Sequence, residues 1–315
     1  MRVSFLFGGQ VTAEAAVVAD YQRRSPAIRR AYAAAAAVVG PAEFDIANPD
    51  GTPEDQHSRN ALRHTALVLG LVDDLAAHGI EPDAVGGLSL GALIGACVAG
   101  AIERDELYDM LHHRRLVPRP AADAPEEGMM LIGTAVSDRP DRYYGPDHPG
   151  VYLAVDTGPV DLERRSFVVS GYRSGLERLR ATAADGVHMF LFPGYHGAFH
   201  SPLQQHAADF MEPFINAMTF RDPKVPICSP VDQRTLTTAA EVREFMLGHN
   251  LMPARYEPLV EEMDGLGIQA GLVVGPGLPA PVVQPFPVEL FSEPSDFDRR
   301  AELREKLGEI RAETV

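Results

Sequence analysis

The sequence is poor in three features that would mark other classes of protein. Its 315 residues include only two cysteines, Cys97 and Cys228, which give neither a disulfide framework nor a metal-ligand spacing. No apolar run is long enough to span a membrane, and the apolar start of the chain is too short for a signal sequence. We therefore expect no metal site, no membrane contact and a location in the reducing cytoplasm.

Positive charge is also scarce. The chain has 28 Lys and Arg residues against 44 Asp and Glu residues, which gives a net charge of −16 at pH 7. Such a balance argues against nucleic acid or an anionic membrane as the main partner. The length and the hydrophobic fraction of 45% indicate an ordinary globular protein with one large α/β domain, or a large domain and a small one.

The most informative stretch is residues 87–91, which read Gly-Leu-Ser-Leu-Gly. The pattern before it predicts a short buried strand, and the apolar, glycine-rich run after it predicts a helix. Strand, Gly-x-Ser-x-Gly and helix together are typical of a nucleophile elbow, a sharp turn that holds a serine exposed at a helix N-terminus. Ser89 is therefore a candidate nucleophile; the alternative is a tight turn within a packed α/β core.

A serine nucleophile needs a base that takes its proton, and histidine has the side chain with a suitable pKa near neutrality. Of the 11 histidines, His200 stands out because it lies in a glycine-rich loop directly before Ser201 and Pro202, where a helix is predicted to begin. Its alternative role is that of a polar residue beside a helix cap.

The order of the predicted elements divides the chain. Strands and helices alternate in residues 1–122 and again in residues 195–315, which we predict to form a large α/β-hydrolase-like catalytic domain with a parallel sheet. Residues 123–194 begin within a polar linker, Ala121 to Glu127, and then read as strands around one helix. They are predicted to form a small inserted ferredoxin-like α+β subdomain.

The order of these features resembles one family. The features are Gly-Gly-Gln at 8–10, the elbow at Ser89, an arginine late in a following helix, the inserted subdomain, Gly-Ala-Phe-His-Ser-Pro at 197–202, and Val-Gly-Pro-Gly at 274–277. They look like those of the malonyl-CoA:acyl-carrier-protein transacylases and the acyltransferase domains of polyketide synthases. The resemblance covers nearly the whole chain.

The resemblance implies a catalytic machinery. Ser89 would become an acyl ester, and His200 would act as its base, oriented by backbone carbonyls near residues 249–253 in place of a carboxylate. The backbone N–H groups of Gln10 and Leu90 would form the oxyanion hole.

The resemblance also implies residues that select the acyl group. Arg114 lies 25 positions after Ser89, at the spacing where the family carries the arginine that pairs with the free carboxylate of a malonyl group. Its alternative is a solvated helix end. Phe199 matches a bulky residue associated with selection of malonyl over methylmalonyl.

Some positions depart from the family pattern. Leu88 stands where the family usually has a histidine, Ala92 replaces a glutamate, and Asp156 lies near the position of a pocket asparagine. We predict that Leu88 and Asp156 line the acyl pocket. An acidic side chain there would favour a cationic substrate such as an aminoacyl group, unless Arg114 neutralises it.

From the resemblance we expect an acyltransferase. It would move malonyl, or a related specialised unit, from a thioester donor to the phosphopantetheine thiol of an acyl carrier protein in polyketide or fatty acid biosynthesis. The alternatives are transfer of an unusual group between carrier proteins, and an editing thioester hydrolase. No cofactor is expected beyond acyl-CoA or acyl-phosphopantetheine as substrate. Because carrier proteins are acidic, we expect contact through local arginines, with Arg299 and Arg300 as distant contributors.

Overall fold

The computed structural model describes residues 2–45, 51–118, 121, 123–194, 196–278 and 284–313. Within these residues the strands form two separate sheets, and α-helices connect and cover them. The strands are β1 Val3–Phe7, β2 Ala84–Gly87, β3 Glu127–Ala135, β4 Val151–Pro159, β5 Arg164–Tyr172, β6 His188–Leu191, β7 Ile227–Cys228, β8 Thr235–Leu236, β9 Ala254–Arg255, β10 Ala270–Val274 and β11 Val288–Phe291. The α-helices are α1 Ala15–Arg24, α2 Pro26–Val39, α3 Pro53–Ala77, α4 Leu90–Val98, α5 Arg104–His113, α6 Arg173–Ala181, α7 Gln205–Ala217, α8 Ala239–Gly248, α9 Tyr256–Gly265 and α10 Arg300–Glu313.

The large sheet has the strand order β11-β10-β1-β2-β7-β8 and is parallel except for the pair β7 and β8. Its central strand β1 is buried at all five residues, as expected for a parallel strand covered on both faces. Phe7 at the end of β1 is in register with Gly87 at the end of β2. The loops that follow these two strands therefore leave the same edge of the sheet side by side.

The second sheet has the order β6-β3-β5-β4-β9, with antiparallel pairs throughout β6 to β4. Helix α6 packs against β3 and β5, and the apolar cluster beneath it includes Ile132, Phe167 and Leu176. The predicted fold class, an α/β protein with a parallel sheet and a smaller second sheet, is confirmed.

The predicted domain boundaries stay a prediction, because residues 122 and 195 lie outside the described residues. The sheets show one link that the division did not include. Strand β9, from the predicted large domain, pairs with Val155 and Asp156 of β4 in the second sheet.

Helix α3 has a well-defined start. Thr52 Oγ1 accepts a hydrogen bond from the Asp55 N–H at 3.2 Å, and Asp55 Oδ2 accepts one from the Thr52 N–H at 2.8 Å. This reciprocal capping box satisfies two N–H groups that the helix itself cannot. It fixes the first turns of α3, which carry His57.

Candidate active site

Ser89 lies between the end of β2 and the start of α4. Its backbone has φ 54° and ψ −121°, a conformation that a residue with a side chain adopts only under strain. The surrounding glycines permit this turn, since a Cβ on Gly87 would lie 2.6 Å from the Gly91 carbonyl carbon and 2.7 Å from the Phe7 oxygen. The result is a half-exposed hydroxyl at the start of a helix whose first eight residues are buried.

His200 meets this serine from a loop 111 residues later in the chain. The Nε2 atom of His200 is 2.9 Å from Ser89 Oγ. The Nδ1 atom is 3.0 Å from the His249 carbonyl oxygen and 3.1 Å from the Met252 carbonyl oxygen. Because both of these groups only accept, Nδ1 carries the proton, which leaves the Nε2 lone pair facing the serine hydroxyl.

The imidazole of His200 is neutral at ordinary pH. Burial lowers its pKa to about 4, the hydrogen bonds to the two carbonyls oppose this shift, and the positive charge of Arg114 adds to it. The backbone of His200 is also in the left-handed region, with φ 60°. The two residues of the pair thus both have strained backbones, a feature that clusters at functional sites.

The loop after β1 lies against the serine. A Cβ built on Gly9 would lie 3.9 Å from the Ser89 Cβ. In the part of the chain that the structure describes, the N–H groups of Gln10 and Leu90 donate to no backbone or side-chain acceptor. For Leu90 the reason is general, because the first N–H of a helix has no partner inside it. Their role as oxyanion donors stays a prediction.

Arg114 and Phe199 line one cavity of about 130 Å³ together with His57 and His249, whereas Ser89 and His200 lie outside its lining. Burial lowers the pKa of Arg114 to about 10, so its guanidinium remains charged at neutral pH. Among the described residues no acceptor or carboxylate bonds to that guanidinium. Desolvated positive charge without a partner is a ready site for an anion.

Comparisons with known proteins agree with this geometry, although no family model matches the chain. The malonyl CoA-acyl carrier protein transacylase of Bacillus subtilis is 24% identical over 287 residues, which are 88% of this chain and 87% of that protein. Much longer polyketide and polyunsaturated fatty acid synthases also match, and this chain spans 7% to 11% of their length. The chain is similar to malonyl CoA-acyl carrier protein transacylases and to an acyltransferase domain of a polyketide synthase.

Solved structures share the fold along almost the entire chain. The Clostridium perfringens malonyl CoA-acyl carrier protein transacylase has a TM-score of 0.82 at 17% identity, covering 99% of this chain and 100% of that one. A malonyl-transacylase solved in complex with a type II polyketide synthase acyl-carrier protein has a TM-score of 0.77 at 19% identity, covering 96% of this chain and 99% of that one.

Two residues predicted for the acyl pocket lie outside this cavity. Leu88 is only 3% exposed and packs in an apolar cluster with Ala254 and Tyr256. Asp156 forms two hydrogen bonds of 3.1 Å to Arg165, also on the second sheet, and is outside the lining of the cavity. Ser89 and His200 do not line this cavity either, so the role of Leu88 and Asp156 in the acyl pocket stays a prediction. Arg165 neutralises the carboxylate that suggested a cationic substrate.

The arginines predicted as carrier contacts form ion pairs with aspartates of the same chain. Arg300 Nη1 is 2.7 Å from Oδ2 of Asp74, whose side chain is 6% exposed, and Arg299 Nη1 is 3.2 Å from Asp296 Oδ1. Asp74 lies 17 residues after His57 on α3, a distance of about 25 Å along a helix. Arg300 therefore fastens α10 to α3, and the expected contact of Arg299 and Arg300 with a carrier protein stays a prediction.

Two residues of the site escaped the sequence analysis. The His57 ring stacks on Phe199 with 4.9 Å between centroids and 10° between planes, and its carbonyl oxygen accepts from Gln10 Nε2 at 2.9 Å. Glu127 Oε2 accepts from the Ala198 N–H at 2.8 Å and from Gln204 Nε2 at 2.9 Å. His57 had no local signal, and Glu127 fell in a stretch read as a polar linker.

The described residues contain no group of three or more His, Cys, Asp or Glu side chains arranged to hold a metal ion. None of the helices in the described ranges is long and apolar enough to cross a membrane. The expectations of no cofactor and of a cytoplasmic location stay predictions.

Proposed function

We propose that this acyltransferase moves a malonyl or related carboxyacyl unit from a thioester donor, through an ester on Ser89, to the phosphopantetheine thiol of an acyl carrier protein. The relatives support acyl transfer to a carrier protein in fatty acid or polyketide synthesis. The observation that carries the proposal is the 2.9 Å contact between Ser89 Oγ and His200 Nε2, with Nδ1 directed at two carbonyls.

In the first half-reaction, Ser89 Oγ attacks the thioester carbonyl carbon while His200 Nε2 takes the hydroxyl proton. The N–H groups of Gln10 and Leu90 would bind the oxyanion that forms. The C–S bond then breaks, and the proton passes from His200 to the departing thiolate. The second half-reaction reverses these steps, with the carrier thiol giving its proton to His200 and attacking the serine ester.

Specificity for a carboxyacyl group would come from Arg114. Its guanidinium is charged, desolvated and without an acceptor among the described residues. A planar fork of N–H donors matches a carboxylate. A carboxylate placed there would gain the paired hydrogen bonds that the guanidinium lacks in the free protein.

The proposal is tested by intact-protein mass after incubation with malonyl and acetyl thioesters of coenzyme A. We expect a malonyl adduct that disappears in the Ser89→Ala variant. Adducts formed only from an acyl-loaded carrier protein would point to transfer between carriers. Turnover to free acid without an acceptor would point to a hydrolase, and either result would overturn the proposal.

The role of Arg114 is tested separately. The Arg114→Ala variant should lose malonyl loading by about 10- to 150-fold relative to acetyl loading, since a charge-assisted pair contributes about 1.5–3 kcal/mol. The matched control is Arg139→Ala, which removes an exposed arginine paired with Asp141. An equal loss of malonyl and acetyl loading in Arg114→Ala would mean that the arginine is structural.

A further inference from the structure

A second cavity, of about 180 Å³, lies against a different face of helix α3 from the cavity that Arg114 lines. Among the described residues, none lines both cavities. Helix α3 lines the second cavity with side chains at helical spacing, which are Gln56, Asn60, Arg63, His64 and Leu67. The other walls come from α1, α2 and the loop at residues 11–13. The second cavity is therefore separate from the one beside Arg114.

His64, in the wall of this cavity, is buried without a hydrogen-bond partner for its ring. The residue is 4% exposed, and its Nε2 atom has no partner in the part of the chain that the structure describes. Burial lowers the pKa of His64 to about 4, so the imidazole is neutral at pH 7. A neutral imidazole has one N–H donor and one acceptor nitrogen, and leaving either unsatisfied in the interior is costly. An occupant of the cavity is the partner that the ring lacks.

Arg63 gives the cavity its charge, and no Asp or Glu side chain is among the described lining residues. Its Nε atom donates to the Glu43 carbonyl at 3.1 Å, and its Nη2 atom donates to the Asp45 carbonyl at 2.6 Å. The Glu43 carboxylate instead pairs with Arg59 Nε at 3.0 Å. Within the described ranges no carboxylate forms an ion pair with Arg63, and its Nη1 atom has no acceptor. A positive charge held by carbonyl groups alone is suited to an anionic ligand.

The remaining wall is polar on one side and apolar on the other. Tyr32 Oη donates to the Arg63 carbonyl at 3.1 Å, which leaves its own lone pairs to accept. The apolar lining side chains are Val11, Ala13, Val18 and Leu67. An engineered apolar cavity of about 150 Å³ in another protein binds benzene, so a ligand of roughly six to eight non-hydrogen atoms fits a space of this size. The walls match an organic ligand with one charged end.

We propose that this cavity binds a short-chain monocarboxylate whose carboxylate is held by Arg63 and His64, with its alkyl end against the apolar side of the wall. A single positive charge matches a monoanion better than a phosphate dianion, and the apolar side favours an organic ligand. The loop at residues 11–13 directly follows Gln10 in the chain. A bound carboxylate therefore contacts the loop that carries the proposed oxyanion donor. The site does not depend on acyl transfer.

The test titrates isovalerate into the Arg114→Ala variant by isothermal titration calorimetry, so that Arg114 cannot provide the carboxylate site. We expect a dissociation constant of about 1 mM or tighter. Isovaleramide, the neutral isostere, should bind at least ten-fold more weakly, because hydrogen bonds between charged groups contribute at least that factor. Isovalerate should also slow hydrogen exchange of the backbone amides at residues 11–18. No binding, or equal binding of acid and amide, would overturn the inference and would leave the proposed function untouched.

Two further substitutions, made in the same Arg114→Ala background, locate the site. Ala13→Leu fills the cavity and should weaken isovalerate binding at least ten-fold, whereas Ala16→Leu, at an exposed position of α1 outside the lining, should not change it. Arg63→Gln removes the charge and should also weaken binding at least ten-fold, against no change for Arg30→Gln at an exposed position of α2. Arg63→Gln keeps the test decisive if Ala13→Leu fails to fold by circular dichroism. Unchanged binding in folded Arg63→Gln protein would overturn the inference.

Discussion

Acylation of Ser89 should persist into mild acid, because the base that serves it resists protonation. An unperturbed histidine has a pKa near 6.5, so at pH 5.5 only about 10% of it is neutral. Burial lowers the pKa of His200 to about 4, and at that value about 97% is neutral at pH 5.5. The single-turnover rate constant should therefore fall by a few per cent between pH 8 and pH 5.5, against about ten-fold for an ordinary histidine.

The assay is the pH profile of kcat/KM for acylation, which reports the groups of the free enzyme. The reaction is quenched in acid, and the Ser89 adduct is quantified by intact-protein mass. A control is needed for stability, because burial also lowers the pKa of His64 to about 4 and that of His249 to about 3. The unfolded chain binds more protons below pH 6.5, so stability is lost as the pH falls from 6.5 toward 4. Each sample is therefore returned to pH 8 and assayed again.

The acid limb of the profile is the part where kcat/KM falls as the pH is lowered. An acid limb with an apparent pKa near 6.5, in protein that recovers full activity at pH 8, would refute the reasoning. The Arg114→Ala variant gives a second check. Its positive charge contributes to the low pKa of His200, so its removal should move the acid limb to higher pH. Arg114→Lys keeps the charge and should leave the limb close to its wild-type position.

Two other predictions concern Glu127 and Arg300. Glu127→Ala should slow acylation at least ten-fold, because the loop that carries His200 loses two hydrogen bonds to one carboxylate. Glu127→Gln keeps an acceptor and should recover most of the single-turnover rate. A Glu127→Gln variant as slow as Glu127→Ala would contradict this prediction. Arg300→Ala should lower the free energy of unfolding by about 3–5 kcal/mol in urea titrations, because it leaves the Asp74 carboxylate buried without its ion pair. Transfer to a carrier protein should be unchanged in the folded Arg300→Ala variant. A selective loss of transfer would indicate that Arg300 contacts the carrier protein.

The parts of the site that were predictable from sequence are those with a local signature. Glycines at 87 and 91 are required by the turn itself, and the serine between them follows from the strand and helix on either side. The order of motifs along the chain then pointed to His200 as its partner. The second hydrogen bond of that histidine, to a segment about 50 residues later, came from the family resemblance.

Other contacts of these residues could not be predicted, because they depend on features that no local sequence pattern shows. The pairing of β4 with β5 shifts register between Leu153 and Val155 and again between Asp156 and Pro159. Such bulges change the position of side chains relative to their neighbours, and Asp156 meets Arg165 across that hairpin. The stack of His57 on Phe199 joins residues 142 positions apart, so it depends on how α3 packs against the histidine loop.

The short strand β9 connects the second sheet to the segment that orients His200. Met252, whose carbonyl accepts a hydrogen bond from His200 Nδ1–H, lies two positions before Ala254, where the chain joins the edge of the second sheet. A movement of the second sheet would shift β9 and, with it, the Met252 carbonyl. It would therefore change the orientation of the His200 imidazole relative to the Ser89 hydroxyl. The second sheet and the hydrogen bond that orients His200 are therefore joined by one short segment of chain.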